Sequence, residues 1–373
     1  MHLARFISMS KFSELTLTQL RSLVLFLSLV GSSAETQALD ARLSNVNDWT
    51  YVLQFGGIVT PSSVAATNFD LVVMDYSADG SQETEFLASD IAAIKATGKV
   101  VLAYMSIGEA EIQRFYWDPA WNDQPSPDPD APAWLGPFNP LFPDNYKVRY
   151  WDPQWQQIIF GTTSGTNKAY LDRIIDQGFD GVYLDIIDGF EFWSETMPER
   201  TRQQARADMV QFVQAIGSYA RVTRGVSNFL VFPQNGPAII YDNNSQLDSL
   251  GMSYLGAING IGAEDTFYDA LVGQSSETVA SVTQLLDIYR AGAGDTRLVL
   301  AVDYVWDLSD QNGTANVARY NDFEAQSLAR NYVPYAAVSD RDLDEILTIP
   351  AGGSFTQPQP KPNAAKSADW IIR

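Results

Sequence analysis

The sequence has no cysteine and only one histidine, His2. His2 lies in an N-terminal segment that we expect to be removed, so the mature protein should contain neither a thiol nor an imidazole. This excludes disulfides, zinc sites built from Cys or His, and serine or cysteine nucleophiles activated by histidine. Any proton transfer must therefore depend on Asp, Glu, Tyr or Lys.

Residues 1–34 have the features of a secretory signal peptide. Three basic residues precede an apolar run from Leu23 to Val30, and small residues follow up to Ala34. This run is shorter than the roughly 20 residues that cross a bilayer, and no later run is longer or more apolar. We therefore expect a secreted or periplasmic protein without a membrane anchor.

Positive charge is scarce, with 24 Lys and Arg against 45 Asp and Glu, a formal net charge of −21. Such a surface repels nucleic acid and anionic lipid, so neither is expected as a partner. It attracts a cationic polymer. Acidity alone is equally typical of an exported protein that must stay soluble.

The chain after the leader alternates between short runs rich in β-branched and aromatic residues and segments with helical periodicity. The eight predicted strands are Trp49–Gln54, Leu71–Tyr76, Val100–Ser106, Gly181–Ile186, Phe229–Asn235, Gly251–Leu255, Arg297–Tyr304 and Val333–Val338. The predicted helices are Glu83–Thr97, Pro153–Gln177, Glu199–Thr223, Ser276–Ala291 and Asn316–Asn331. Alternation of this kind predicts a single (β/α)8 TIM barrel over residues 35–350, followed by a loosely packed tail at 351–373.

Several predicted strands end in a carboxylate at the same alternation phase. Side chains alternate along a strand, and TIM barrels carry their active sites at the C-terminal strand ends. Asp75, Asp185 and Asp303 are therefore predicted to face inward together, although a single Asp in this place is as often a helix N-cap. Further polar candidates on these strands and the loops after them are Tyr104, Glu109, Tyr183, Asn235 and Glu264.

Crowded carboxylates raise one another's pKa, and two carboxyl groups with unequal pKa values are what glycoside hydrolysis requires. Sugar rings stack on aromatic faces, and aromatic residues are concentrated in the predicted loops. These residues are Phe115, Tyr116, Trp117, Trp121, Trp134, Tyr150 and Trp151. Each of them is also explained by core packing. Phosphate-binding, dinucleotide-binding and EF-hand motifs are absent from the sequence, so neither a cofactor nor a metal is expected.

Longer motifs carry a resemblance to a known family. They are Val72–Tyr76, Val101–Glu111, Tyr150–Pro153 with Trp155, Gly178–Asp185, Asn235–Pro237, Gly262–Tyr268 and Leu300–Tyr304. Together, over about residues 48–338, they resemble the endo-α-1,4-polygalactosaminidases, the barrel enzymes of glycoside hydrolase family 114 and their bacterial relatives.

The resemblance implies a hydrolase of α-1,4-linked galactosamine polymers that acts with retention. It implies that Asp185 is the nucleophile and Glu264 the acid/base. Asp188, three residues further on and past the predicted strand end, is a rival nucleophile. The partner is then a cationic or partly deacetylated polysaccharide, and we expect the enzyme to be a monomer. Residues expected to bind the substrate are Asp75, Tyr104, Glu109, Trp151, Tyr183, Asn235 and Asp303.

The sequence also allows two other functions. One is a barrel that binds polysaccharide without cleaving it. The other is a Mg²⁺-dependent lyase or isomerase with Asp75, Asp185 and Asp303 as ligands. The second is disfavoured because the sequence offers no Lys or His base of the kind that metal-dependent enolisations commonly use.

Overall fold

The computed structural model of the protein describes residues 40–56, 59–121, 127, 129–163, 165, 167–291, 297–310, 313–349, 356–358 and 371–372. The expected signal peptide and most of the tail lie outside these ranges. Within them, every helix is too short or too polar to cross a membrane.

Eight strands of the described chain run parallel and alternate with helices. In chain order they are β1 (Trp49–Val52), β2 (Leu71–Met74), β3 (Val100–Ser106), β4 (Gly181–Asp185), β5 (Leu230–Pro233), β6 (Gly260–Glu264), β7 (Leu298–Trp306) and β8 (Val333–Val338). Strands β1 to β5 form one sheet in sequence order, and β6, β7 and β8 form a second.

The two sheets meet at both of their edges. Between β5 and β6, the backbone N–H of Asn235 donates to the carbonyl of Gly262 at 2.9 Å. Between β8 and β1, the indole Nε1 of Trp49 donates to the carbonyl of Val333 at 2.9 Å. Backbone pairing in the described residues does not extend across this second edge as a regular ladder. The arrangement confirms the predicted (β/α)8 barrel.

Helices form the outer layer. They are Pro61–Ala66, Ala88–Lys95, Pro153–Ile159, Tyr170–Gln177, Gly189–Glu191, Arg202–Ser218, Ser249–Ala257, Ser276–Ala291 and Thr314–Ala329. The single helix predicted over residues 153–177 is two helices, and Gly161, in a left-handed conformation at φ 110°, follows the first of them. Gly178 ends the second at φ 86°, as its position before a strand predicts.

The sixth predicted strand is wrong. Residues 251–255 lie inside the helix Ser249–Ala257, which Asp248 caps by accepting a hydrogen bond from the N–H of Gly251 at 2.8 Å. The true β6 begins at Gly260 and has two glycines in its first three residues, so its sequence has little β-propensity. Glu264 is therefore the last residue of β6 and not part of a loop.

The glycines of β6 make room for rings that fill the barrel interior. A Cβ atom at Gly262 would overlap the hydroxyl of Tyr183, and one at Gly260 would overlap the ring of Phe232. Tyr183 also lies 5.4 Å from the ring of Tyr51, measured between centroids. The low β-propensity of this strand is thus explained by the size of the side chains on its neighbours.

The long connection after β3 forms a side sheet of three antiparallel strands, Glu109–Glu111, Leu135–Asn139 and Phe142–Val148, with the last in the middle. Of the aromatic residues for which sugar stacking and core packing were both open, Trp117 and Trp134 make packing contacts at or beside this sheet. Trp117 lies 5.0 Å from the ring of Tyr146, and Trp134 lies 5.0 Å from that of Trp155.

The described part of the tail packs on the barrel. Gln357 is buried, and its side chain donates to the carbonyl of Ala336 on β8 at 2.9 Å and accepts from the N–H of the same residue at 2.7 Å. Ile371–Ile372 pairs with Ile346–Leu347. Through the contacts of Gln357 the described tail residues satisfy backbone groups at the edge of β8.

We predict that Gly262→Ala lowers the free energy of unfolding by about 3 kcal/mol, because the new methyl group displaces Tyr183 in a filled interior. Denaturant unfolding measures the change. The matched control is Gly256→Ala, at an exposed helical position with open space around it. This variant should gain up to about 1 kcal/mol from helix propensity. Equal stability of the two variants would contradict the interior packing described above.

Candidate active site

A cavity of about 1280 Å³ opens at the C-terminal ends of the barrel strands. Its walls come from the side sheet and from the loops after β4 and β8. The polar side chains that the barrel strands and the residues directly after them contribute to it are Tyr51, Asp75, Tyr104, Asp185, Gln234, Asn235, Glu264 and Tyr304.

Asp185, the last residue of β4, points into this cavity. Its Oδ2 accepts a hydrogen bond from the hydroxyl of Tyr104 at 2.8 Å, and its Oδ1 accepts from the N–H of Ile186 at 2.7 Å. Burial raises the pKa of Asp185 well above its usual range, and the charge of Glu264 raises it further, while the Tyr104 hydrogen bond acts in the opposite direction.

Glu264, the last residue of β6, is held by two neighbours. Its Oε1 accepts from the hydroxyl of Tyr304 at 2.5 Å, and its Oε2 accepts from the side-chain amide of Asn235 at 2.9 Å. The backbone N–H of Glu264 donates back to Asn235 Oδ1 at 3.0 Å. Burial raises the pKa of Glu264, and the hydrogen bonds from Tyr304 and Asn235 lower it.

The two carboxylates face each other across β5. Neighbouring strands lie about 4.8 Å apart, so the backbones of β4 and β6 are separated by about 10 Å, and both side chains extend into the space between them. After burial, the charge of Glu264 is the largest cause of the raised pKa of Asp185. Such a pair holds one proton over a wider pH range than an isolated carboxyl group does, so it combines an acid with an anion.

Asp75, at the end of β2, also lines the cavity but is bound to a cation of the same chain. Its Oδ2 lies 2.8 Å from Nη1 of Arg114, whose Nε lies 2.6 Å from Oε2 of Glu111. Burial raises the pKa of Asp75 to about 6, although Arg114 opposes the shift. Asp75 therefore carries a charge that Arg114 already balances.

Glu109 has a similar arrangement on the side sheet. Its Oε1 lies 2.5 Å from Nζ of Lys147 and accepts from the side-chain amide of Asn139 at 3.0 Å. Burial raises the pKa of Glu109, and Lys147 opposes the shift. The cavity thus receives Asp75 and Glu109, as predicted, but both are paired with cations that the sequence analysis did not identify.

Asp303 does not line the cavity, and the predicted inward face of β7 is wrong by one residue. Val302 pairs with Glu264 across the parallel strands, so Val302 and Tyr304 face inward and Asp303 faces outward. There its carboxylate accepts hydrogen bonds from the backbone N–H groups of residues 266–268, each at 2.8 Å. Nine successive residues of β7 have little exposure, so burial does not reveal which face is inward.

The proposed magnesium ligands Asp75, Asp185 and Asp303 are therefore not brought together. Asp303 is on the other face of its strand, and Asp75 binds Arg114. Within the described ranges, no group of three or more Asp, Glu, His or Cys side chains is arranged to hold a metal ion.

Two predicted substrate-binding aromatics also lie elsewhere. Trp151 packs against Trp193 at 5.5 Å between ring centroids and under the guanidinium of Arg200 at 4.5 Å. Tyr183 is fully buried in the barrel interior below the cavity. The aromatic side chains that do line the cavity are Tyr51, Phe55, Tyr104, Phe142, Phe192 and Tyr304.

The charge of the cavity wall is strongly asymmetric. Eleven Asp and Glu residues line it, against three cations, namely Arg114, Lys147 and Arg341. Each of these cations is in an ion pair with a carboxylate. Asp188, the rival nucleophile, is among the lining acids, in the turn after β4.

Comparison with known proteins gives the same fold and a family. The model of Glycoside-hydrolase family GH114 matches residues 31–354. An uncharacterized protein of Methanocaldococcus jannaschii is 39% identical over 301 residues, which are 80% of this chain and 78% of that protein. An uncharacterized protein of Thermotoga maritima is 34% identical over 328 residues, 88% of this chain and 91% of the relative.

Solved structures share the architecture at low identity. Aspergillus fumigatus Ega3, solved in complex with galactosamine, has a TM-score of 0.52 and 16% identity, covering 83% of this chain and 95% of its own. A variant of the glycoside hydrolase domain of PelA from Pseudomonas aeruginosa has a TM-score of 0.50 and 16% identity, covering 79% and 96%. With the family match over most of the sequence, the chain belongs to glycoside hydrolase family 114 and is a glycoside hydrolase.

Proposed function

We propose that the enzyme cleaves α-1,4-linked, galactosamine-containing polysaccharide with retention of configuration, using Asp185 as nucleophile and Glu264 as acid/base. The observation that carries this proposal is the pair of partly buried carboxylates at the ends of β4 and β6, which share one cavity and in which the charge of Glu264 raises the pKa of Asp185. Retaining hydrolysis needs one ionised and one protonated carboxyl group on the two sides of the scissile bond.

The first step forms one bond and breaks another. The Asp185 carboxylate attacks the anomeric carbon, while the Glu264 carboxylic acid gives its proton to the leaving glycosidic oxygen. In the second step a water molecule loses a proton to the Glu264 carboxylate and attacks the same carbon, which breaks the ester bond to Asp185. Both residues then return to their starting protonation states.

The hydrogen bonds at each carboxylate support this division of roles. Asp185 accepts from Tyr104 and from a backbone N–H, and both hydrogen bonds favour its anion against burial and the charge of Glu264, which raise its pKa. Asn235 holds Glu264 through both its side-chain amide and its side-chain oxygen, which fixes the orientation needed for directed proton transfer. Asp188 lies beyond the strand end, in the turn before the short helix Gly189–Glu191.

The acidic wall supports a cationic substrate. Because eleven carboxylates face three already paired cations, the cavity attracts positive charge, and deacetylated galactosamine carries an ammonium group. Ega3, which has the same fold, was solved with galactosamine bound. We further propose that the enzyme is exported, since the sequence of residues 1–34 is typical of a signal peptide.

Asp185→Asn and Glu264→Gln should each lower kcat by about 10³-fold or more, because each removes a group that reacts directly. Both changes keep the side-chain shape and remove a desolvated charge, so the melting temperature should stay the same or rise. Activity is measured on purified α-1,4-galactosamine polymer by mass analysis of the products. The matched control is Glu277→Gln, at an exposed helix position away from the cavity.

A variant of either residue with near wild-type turnover would contradict the assignment. Wild-type protein that binds the polymer without releasing fragments would instead identify a non-catalytic barrel. Asp188→Asn separates the rival nucleophiles, since a loss of covalent intermediate in this variant and not in Asp185→Asn would reverse their roles.

The dependence on substrate charge gives a second prediction. Deacetylated polymer should be cleaved with a kcat/KM that falls roughly tenfold between low and high salt, because ions screen the attraction of the acidic cavity. Fully N-acetylated polymer should be cleaved poorly at any salt concentration. Chitosan serves as the cationic control with a different linkage. Cleavage of chitosan alone would contradict the proposed substrate while leaving the two-carboxylate mechanism intact.

A further inference from the structure

We infer that Arg341, on the loop after β8, is a positioning residue that holds Glu264 through Asp265 and Tyr304. This inference rests on the proposed role of Glu264 as acid/base. Arg341 lines the cavity, yet its guanidinium is directed at the residue next to Glu264 and at the ring that binds Glu264.

The first connection is a two-point ion pair. Arg341 Nη2 lies 2.7 Å from Asp265 Oδ1, and Nη1 donates to Asp265 Oδ2 at 3.1 Å. Two parallel hydrogen bonds between a planar guanidinium and a carboxylate fix orientation as well as distance. Since Asp265 directly follows Glu264, the ion pair ties the end of β6 to the loop after β8.

The second connection runs through Tyr304 on β7. The guanidinium carbon of Arg341 lies 4.3 Å from the centre of the Tyr304 ring, within the range of a cation–π contact. The hydroxyl of the same ring donates to Glu264 Oε1 at 2.5 Å. A cation over the ring favours electron withdrawal from the phenol, which makes its hydroxyl a stronger donor to Glu264.

The backbone conformation of three residues near Glu264 is a further observation that supports the positioning role. Arg341, Asp265 and Asn235 are non-glycine residues in the left-handed region, with φ values of 68°, 52° and 58°. Asn and Asp tolerate this region better than other residues, whereas at Arg341 the conformation costs about 1 kcal/mol or more and persists where surrounding contacts hold it. The loops from three strand ends near Glu264 thus share this backbone conformation, and the one at Arg341 is unfavourable.

The electrostatic effect of Arg341 on Glu264 has a definite sign. Asp265 is negative and raises the pKa of Glu264, whereas hydrogen bonds from Tyr304, Asn235 and Gln234 lower it. The other titratable groups that interact with the charge of Glu264 are Asp185, Tyr51, Tyr183 and Arg341. Arg341 neutralises Asp265, and its Nη2 also lies 3.1 Å from Asp269 Oδ1, so its loss leaves both negative charges unopposed and weakens the Tyr304 donor. Both changes raise the pKa of Glu264.

The test is Arg341→Met. Because Glu264 acts in its protonated form, the alkaline limb of the kcat/KM profile should move up by about one pH unit. At the optimum, kcat should fall by about 10- to 100-fold with little change in KM, because Glu264 is no longer oriented. In the free enzyme, carbon-13 NMR of labelled Glu side chains should show the same upward shift of the Glu264 titration, with Glu264→Gln identifying its signal.

Two further variants separate charge from geometry. Arg341→Met combined with Asp265→Asn removes both charges and should return the Glu264 titration toward the wild-type value, while kcat stays low. Arg341→Lys keeps the charge and loses the two-point contact, so the titration should stay and kcat should still fall. The matched control is Arg330→Met, which breaks the surface ion pair with Asp287 and should change neither quantity.

An unchanged Glu264 titration in Arg341→Met would overturn the inference, as would full turnover in Arg341→Lys. If Arg341→Met does not fold, the Lys and double variants decide the question by the same criteria. The NMR titration needs no substrate. An upward shift of the Glu264 titration in Arg341→Met, together with no detectable hydrolysis by the wild-type enzyme, would contradict the proposed function and still support the positioning role.

Discussion

In-register pairing of parallel strands is the constraint on which this active site depends. Paired residues of neighbouring parallel strands point to the same side, so a single inward position determines the next. Glu264 faces inward, and its partner Val302 therefore does too, which places Tyr304 in the cavity and turns Asp303 away from it. The same rule, applied from β3 to β4, pairs Tyr104 with Tyr183 and Ser106 with Asp185, so Tyr104 lies on the same face as Asp185 and its hydroxyl reaches the carboxylate. Each carboxylate consequently meets a tyrosine hydroxyl supplied by an adjacent strand.

The second feature of the site is that some of its carboxylates are paired with cations and others are not. Burial makes every inward carboxylate costly to ionise, and the chain compensates for Asp75 and Glu109 with Arg114 and Lys147. The hydrogen-bond partners of Asp185 and Glu264 are of a different kind. Here the described neighbours are neutral donors, so the two groups keep raised pKa values and the capacity to exchange a proton. The contrast separates carboxylates that are paired with cations from carboxylates that accept hydrogen bonds from neutral groups.

Arg341 connects these two features. It is a cation near the reactive pair, but its charge is directed to Asp265, and its contact with Glu264 passes through the ring of Tyr304. The barrel interior supplies the rigid base for this arrangement, since large rings fill the space that the glycines of β6 leave open. A site at strand ends can hold sub-ångström geometry only if the strands beneath it do not move.

Much of the fold could be predicted from the sequence, because it depends on composition and on local patterns along the chain. The exclusion of thiol chemistry is a matter of composition, and seven of the eight strands follow from local runs of β-branched and aromatic residues. Strand β6 could not be predicted in this way, because its glycines are explained by the rings of Tyr183 and Phe232 on other strands. The neighbouring apolar segment, which forms a capped helix, is more typical of a strand in its composition. Asp185 and Glu264 were identified because they stand in motifs that resemble those of a known family.

The sequence by itself determined the barrel, because the barrel depends on short-range order along the chain, and its family motifs pointed to the two candidate carboxylates. Only the tertiary structure decided which acids are paired with cations and which accept hydrogen bonds from neutral groups. Arg114, Lys147, Tyr304 and Arg341 act on carboxylates through contacts made in space. The inward-facing side chains of β7 were also decided by tertiary structure. A strand buried on both faces carries no local signal of which face is inward, and the pairing of β7 with β6 determines that face.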